Sequence, residues 1–511
     1  MKKIKPIFFY TVLLLFCVAF SLNASGYDFD LWARLIAGMG FVQTGQVLKH
    51  DFLSYTPTHL WYDHEWGSGV IFYLTQHLFS GAGLIILQAL LLFSLFFIIT
   101  RIVKLRGLQT TTAYNFLFYF FALISMSAVI NEPIRCQMFT FVLFALFLYI
   151  LELARKGENR PLFALPFIMI LWNNLHGGCV SGIGLIVIYI IGELLNKKEI
   201  KKYIYVLIPT VLALVINPWG LDYLGFLANA VSMKRPDVIE WWGLFSKFYL
   251  YKYMVLKFFM LTLLIAKLVG TKSFSYQKMD KTKFLILFAT LYLAISHVKM
   301  VPFFVITATC FLYDDFYAVI DKITVKIHKN LIFLKEVLVY LLITTFILTT
   351  INVKAFESIV NESKYPIKEI EFIKINHING NLLINFGLGS YASYKLYPDN
   401  LIFMDGRYEE VYYDYMVPMM KKFYLLNPGW DEILIKYPPA VMVIEKYYPV
   451  YNILKTKKNW ELVYEGKLFG VFVKSKPSVG FKKDYKQPSA DIEHYKKNFF
   501  DTNISFKKLP L

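Results

Sequence analysis

PIFFYTVLLLFCVAFSLNASGYDFDLW, Pro6 to Trp32, sets an apolar run directly against two acids, Asp28 and Asp30. The run over 6–24 is long enough to cross a bilayer, which takes about 17 to 25 residues. Composition agrees: of 511 residues 57% are hydrophobic and 18% aromatic, with mean hydropathy +0.48, more than a soluble globular chain carries. The sequence therefore reads as a polytopic membrane protein. Its net charge of +18 belongs to cytoplasmic loops, where lysine and arginine collect in membrane proteins, and no nucleic-acid partner is expected. Cys17, Cys136, Cys179 and Cys310 lie in or beside apolar runs without metal-ligand spacing and read as buried free thiols. The basic start and the small residues after the first run resemble a signal peptide, but many spans follow, so an uncleaved first helix is expected.

Further apolar runs lie near 82–103, 113–131, 137–153, 161–176, 179–195, 203–217, 252–269, 283–298, 301–319 and 331–353, giving about eleven spans. The stretch 66–79 is too short to span and reads as an interfacial helix or a lead-in to the next run. Basic clusters recur at every second loop, at Lys2 to Lys5, Arg101 to Arg106, Arg155 to Arg160, Lys197 to Lys202, Lys267 to Lys278 and Lys322 to Lys329. The positive-inside rule then places the N-terminus in the cytoplasm and everything after the last span outside it. The opposite loops hold Asp28 to Asp51, WYDHEW (Trp61–Trp66), NEPIRCQ (Asn131–Gln137), WNNLHGG (Trp172–Gly178), NPWG (Asn217–Gly220), IEWW (Ile239–Trp242) and SHVKM (Ser296–Met300). Singly, such residues are ordinary interfacial groups or caps. Ionisable groups gathered from many helices near hydrocarbon, where each is costly, mark a functional face.

The runs YDFDLW, DFLSYT (Asp51–Thr56), WYDHEW, WNNLHGG, NPWG and FMDGRYEEVYYD (Phe403–Asp414) resemble those of a family of bacterial multi-spanning membrane proteins of unsettled activity. Its members read D-x-D-L-W-W, H-E-W, W-x-N-x-H-G-G and D-G-R, and the resemblance runs from about residue 26 to 475. Three positions depart from it: Ala33 replaces the second tryptophan, Arg34 the following histidine, and Cys136 the proline of R-P-Q. The family's architecture is similar to the GT-C class of integral-membrane glycosyltransferases, in which an acid in the first extracytoplasmic loop is the catalytic base. The resemblance implies hexosyl or pentosyl transfer from a polyprenyl-phosphate sugar, the co-substrate, to an extracytoplasmic glycan, lipid or protein acceptor. It also implies a multi-pass protein of the bacterial plasma membrane, facing the cell envelope.

Such transfer needs a base for the acceptor's proton and cations for the leaving phosphate. Asp28 is the expected base, with Asp30 second or orienting it; Asp30 as N-cap of a helix that carries Arg34 one turn on is the plainer alternative. Arg135 and Lys299 are expected to bind the phosphate, with His297 and Arg34 in reserve. His64, Glu65, Asn174, His176, Asp405 and Arg407 are expected to bind substrate or support the site. As sequence neighbours, His64 and Glu65 are expected to face different ways. Asp28, Asp30, His64 and Glu65 offer oxygen and nitrogen ligands but no fixed metal spacing, which leaves a divalent cation possible and unassigned. The competing functional classes are a non-enzymatic lipid or glycan transporter, an envelope-assembly scaffold, and a glycan ligase or polymerase.

Beyond the last span apolar runs shorten to strand length at 381–386, 400–406, 440–446, 460–466 and 468–474, with helices expected near 366–377, 410–425 and 430–437. The fold expected is an α-helical polytopic membrane protein over 1–355, GT-C-like, whose first extracytoplasmic loop is 25–66. A small extracytoplasmic α/β domain follows over 360–475, and then a basic, loosely ordered tail over 476–511.

Overall fold

The computed structural model describes residues 5–23, 26–110, 112–130, 134–236, 238–270, 279–316, 341, 344–348, 359–475 and 485–506. The chain divides into two compact units, one formed by Met1–Ala24 and Ile85–Phe356, the other by Ser25–Leu84 and Glu357–Leu511.

The first unit is helical. Helices Pro6–Leu22, Ala113–Ile130, Gln137–Arg155, Val180–Leu195, Met254–Gly270 and Lys281–Ser296 fill the runs read as spans. Among the described residues three helices are long and apolar enough to cross a membrane: Trp66–Leu105, Gln137–Arg155 and Gly177–Leu195, the last counted from its 3-10 start. The runs at 161–176, 203–217 and 301–319 are filled only partly, by helices Leu165–Leu175, Lys201–Leu212 and Val301–Phe311. Eleven residues rise about 16 Å, roughly half the hydrocarbon thickness, so the count of about eleven spans rests partly on runs that their helices do not fill. The run 331–353 lies outside the described residues except for fragments. Helix Lys281–Ser296 packs on Val180–Leu195 and Val301–Phe311, and the latter on Ala113–Ile130. The helix Trp66–Leu105 breaks at Ser80 (φ 55°, ψ −153°), where Gly81 and Gly83 follow; the lead-in at 66–79 thus ends where the apolar run begins. All four cysteines are free and buried.

The second unit holds a four-stranded sheet of order β1-β2-β4-β3, with β1 Leu382–Ile384, β2 Val441–Glu445, β3 Trp460–Glu465 and β4 Phe469–Lys474. β1 and β2 are parallel, Leu383 opposite Met442, and both are wholly buried. β2 pairs antiparallel with β4, and β3 and β4 form the expected hairpin, with an irregularity between Leu462 and Tyr464. The expected strand at 400–406 is reduced to bridges, Ile402 meeting Leu382 on one side and Ser54 on the other. That second bridge comes from the first loop, which the sequence reading assigned to the membrane domain. The helix Leu31–Thr44 packs on Phe386–Leu396, a helix not foreseen, and Trp32 lies among Tyr365, Tyr391, Tyr394, Phe499 and Phe500. The expectation of a loosely ordered tail is corrected for 485–506: helix Ile492–Asn498 forms there, and Phe499, Phe500, Ile504 and Phe506 are buried. Average composition concealed four apolar residues that the tail contributes to this core.

Candidate active site

In the second unit, Asp28 lies in the turn that leads into Leu31–Thr44 and is 4% exposed. Tyr365 fixes this turn, its hydroxyl donating to the Tyr27 and Asp28 carbonyls (3.0 and 3.1 Å) and accepting from Trp32 Nε1 at 3.1 Å. Asp28 Oδ1 accepts the Asp30 N–H at 3.0 Å, so Asp28 takes the local capping bond and Asp30 makes none to the helix. Asp30 instead turns to the D-G-R segment: a Cβ on Gly406 would stand 2.8 Å from Asp30 Oδ1 and would push that carboxylate aside.

One turn along the helix, Arg34 is buried among three carboxylates. Its Nη1 meets Asp63 Oδ1, its Nη2 lies 2.8 and 2.9 Å from the Glu410 oxygens, and its Nε is 3.1 Å from Glu65 Oε2. All three guanidinium nitrogens face acids of this chain, which makes Arg34 the counter-charge of the cluster. His64 and Glu65, expected to diverge, both face Glu410's surroundings: His64 Nδ1 is 3.2 Å from Glu410 Oε1, and Nε2 is 3.6 Å from Glu65 Oε1. They converge because residues 63–65 form a tight turn before the helix at Trp66, closed by Asp63 Oδ1 accepting the Glu65 N–H at 3.1 Å. Trp61 Nε1 donates to Glu410 Oε2 at 2.9 Å. Burial raises the pKa of Asp63 and of Glu410, against the pull of Arg34.

Arg407 is wholly enclosed. Nη1 meets Asp51 at 2.6 Å, Nε meets Asp405 at 2.9 Å, and the guanidinium lies over the Trp61 ring, 4.6 Å from its centroid. Burial works to lower the Arg407 pKa, yet Asp405 and Asp51 carry it well above the usual arginine value. Asp51 also accepts from Ser54 N at 3.0 Å, which ties DFLSYT to the D-G-R turn. The motifs D-x-D, WYDHEW, DFLSYT and D-G-R-x-x-E thus form one network in this unit. Asp51, Trp61, Asp63 and Glu410 were not singled out from the sequence, although all four lie within the quoted motifs.

In the first unit, three of the four expected phosphate ligands gather at the IEWW loop. Arg135 pairs with Glu240 at 2.5 and 3.3 Å, His297 Nδ1 is 2.7 Å from the Trp241 carbonyl, and Lys299 lies over the Trp241 ring. Burial raises the Glu240 pKa, but Arg135 and Lys299 outweigh it and bring the carboxyl down to about 2. Glu132 and its neighbours lie outside the described residues. His176 and Asn174 serve the helix ends. His176 Nδ1 accepts the Gly178 N–H at 2.9 Å and lies 2.8 Å from Thr140 Oγ1, while Asn174 Nδ2 donates to the Ile170 and Ile216 carbonyls (2.8 and 2.9 Å). A Cβ on Gly178 would come within 2.6 Å of Thr140 Oγ1, so this glycine is a requirement of close helix packing. The same unit carries an apolar groove of about 900 Å³ whose lining includes Leu264, Phe284, Phe288, Leu291 and Phe304.

Helical packing with a small sheet unit of this kind is similar to the folds of two solved glycosyltransferases. The arabinofuranosyltransferase AftD from mycobacteria superposes with a TM-score of 0.55 at 12% identity, over 93% of this chain and 40% of that one. The Archaeoglobus fulgidus oligosaccharyltransferase in its apo form superposes with a TM-score of 0.54 at 10% identity, over 86% of this chain and 70% of that one. The chain thus spans less than half the length of the mycobacterial enzyme. No protein-family model matches the sequence, and no curated protein matches it.

Proposed function

We propose that the chain is a GT-C-type glycosyltransferase that moves a sugar from a polyprenyl-phosphate donor to an extracytoplasmic acceptor of the bacterial cell envelope. The observation that carries this reading is Asp28, whose buried carboxylate accepts the Asp30 N–H and whose backbone carbonyl accepts from Tyr365, in the turn after the first apolar helix. In the reaction Asp28 takes the acceptor hydroxyl's proton as its oxygen attacks the anomeric carbon. The bond from that carbon to the phosphate oxygen breaks, and the phosphate leaves with the electron pair. Inversion at the anomeric carbon is the expected outcome. Asp30, beside Gly406, keeps the Asp28 turn in register with the D-G-R segment. Arg135 and Lys299 are assigned to the leaving phosphate by their chemistry, Glu240 holding them in place until phosphate competes for them. The apolar groove of the helical unit suits a polyprenyl chain.

The test is mass analysis of lipid-linked sugars and envelope glycans in cells with and without the gene. A donor that accumulates together with a glycan that disappears is the expected result. Unchanged donor pools and unchanged glycans would overturn the reading, and a glycan displaced across the membrane but chemically unaltered would point to transport.

A further inference from the structure

We propose that His64, Glu65 and Glu410 hold a divalent cation. Each offers one ligand atom, and these atoms all lie within 4.8 Å of one another. A first-row cation with bonds of about 2.1 Å separates opposite ligands by about 4.2 Å, so small side-chain rotations bring the three onto one ion. Imidazole nitrogen with carboxylate oxygens is a donor set suited to Mn2+ or Zn2+. The set differs from the one the sequence suggested, since Glu410 joins His64 and Glu65 in place of Asp28 and Asp30.

Two observations ask for a cation beyond Arg34. The first is charge. Asp63, Glu65 and Glu410 are buried around Arg34, each with an oxygen on one of its guanidinium nitrogens, and His64 lies beside Glu410. Three buried carboxyl groups crowd one guanidinium, so the cluster needs protons or a further cation to balance it. Asp63, 1% exposed, has its Oδ1 on Arg34 and on the Glu65 N–H, while Oδ2 has no hydrogen-bond partner among the described residues. The second is the imidazole. Both nitrogens of His64 face carboxylate oxygens, at 3.2 and 3.6 Å. A neutral imidazole donates from one nitrogen only, so its other lone pair points at a carboxyl oxygen and calls for a proton or a metal cation between them. A metal ion satisfies both nitrogen and oxygen without requiring a second proton. Arg34, on Glu65 Oε2 and on both Glu410 oxygens, then orients the ligand carboxylates from behind.

Full-length protein in nanodiscs, stripped with EDTA, would be titrated with Mn2+ and read by electron paramagnetic resonance of the free ion. One Mn2+ per chain is expected, with His64→Gln and Glu410→Gln each weakening binding at least ~100-fold, on the scale of losses known for metal sites. Glu445→Gln, which alters a buried carboxyl elsewhere in the unit, should leave the affinity unchanged. The wild-type melting temperature should also rise with Mn2+, a readout that needs no variant to fold. A wild-type protein that binds no stoichiometric Mn2+ and gains no thermal stability would overturn the proposal and leave the cluster balanced by protons. Binding that persists unchanged in both ligand variants would overturn it equally.

Discussion

Glu445 ends β2 with its carboxyl buried, and burial carries its pKa up to about 7. Lys395, in the helix Phe386–Leu396, donates to the Asn498 and Asp501 carbonyls, and burial, with Lys374 adding to it, brings its pKa down to about 7. The two act in different pH windows. Between about 4.5 and 7 the unfolded glutamate is ionised while the folded one keeps its proton, so Glu445 costs stability as pH rises through that window, and the cost is constant above it. Between about 7 and 10.5 the unfolded lysine keeps its proton while the folded one has lost it, so the cost of Lys395 is full below 7 and fades as pH rises to 10.5. Urea unfolding of full-length protein at pH 5, 7 and 9 would read both. Glu445→Gln should gain on wild type by an amount that grows from pH 5 to pH 7 and then levels, on the order of 3 kcal/mol. Lys395→Met should show its largest relative gain at pH 7 or below and a smaller one at pH 9. A difference from wild type that is flat across the series would contradict the assignment.

At the scale of elements, the helices Leu31–Thr44 and Trp66 onward cross where neither has a side chain. A Cβ on Gly38 would stand 2.0 Å from the Gly69 carbonyl oxygen, and one on Gly69 would stand 2.6 Å from the Arg34 oxygen. Backbone atoms meet there, and no rotamer can yield. Gly38→Ala should therefore cost more than the ~1–3 kcal/mol usual for overpacking, whereas Gly184→Ala, with nothing within 4 Å of its Cβ, should be neutral or slightly stabilising. Thermal unfolding of the two variants side by side checks this, and equal melting temperatures would contradict it. Elements of this kind were legible in part. The long apolar runs became helices and four of the five expected strands formed, because hydrophobic period and run length act locally. The stretch at 400–406 has a strand's composition but finds only single bridge partners. The helix FGLGSYASYKL was missed because its glycines, serines and tyrosines carry little helical signal, although Asn385 caps it through the Gly387 N–H. The candidate site was legible as a set of motifs and illegible as a network. Arg34 and Glu410 are 376 residues apart, and no local rule couples them.

At the scale of the whole molecule, the alternating basic clusters give the topology its testable form. Cysteines introduced singly near Arg135, His176 and Lys299, and in the 405–410 segment, should react with a membrane-impermeant maleimide applied outside the cell, and one in the 101–106 loop should not. Labelling at 101–106 without labelling at 405–410 would reverse the orientation and with it the envelope-facing reaction. The fold is similar to those of an arabinofuranosyltransferase and an oligosaccharyltransferase, and the transferase chemistry proposed above rests on one carboxylate. The most direct measurement compares sugar transfer by full-length Asp28→Asn and Asp30→Asn at matched protein levels. Asparagine keeps the size of aspartate and still accepts the Asp30 N–H, but it cannot serve as a base. Asp28→Asn is predicted to lose at least about 100-fold in turnover, the scale of general-base catalysis, while Asp30→Asn keeps partial activity. Full turnover by Asp28→Asn, alone or combined with Asp30→Asn, would contradict the account.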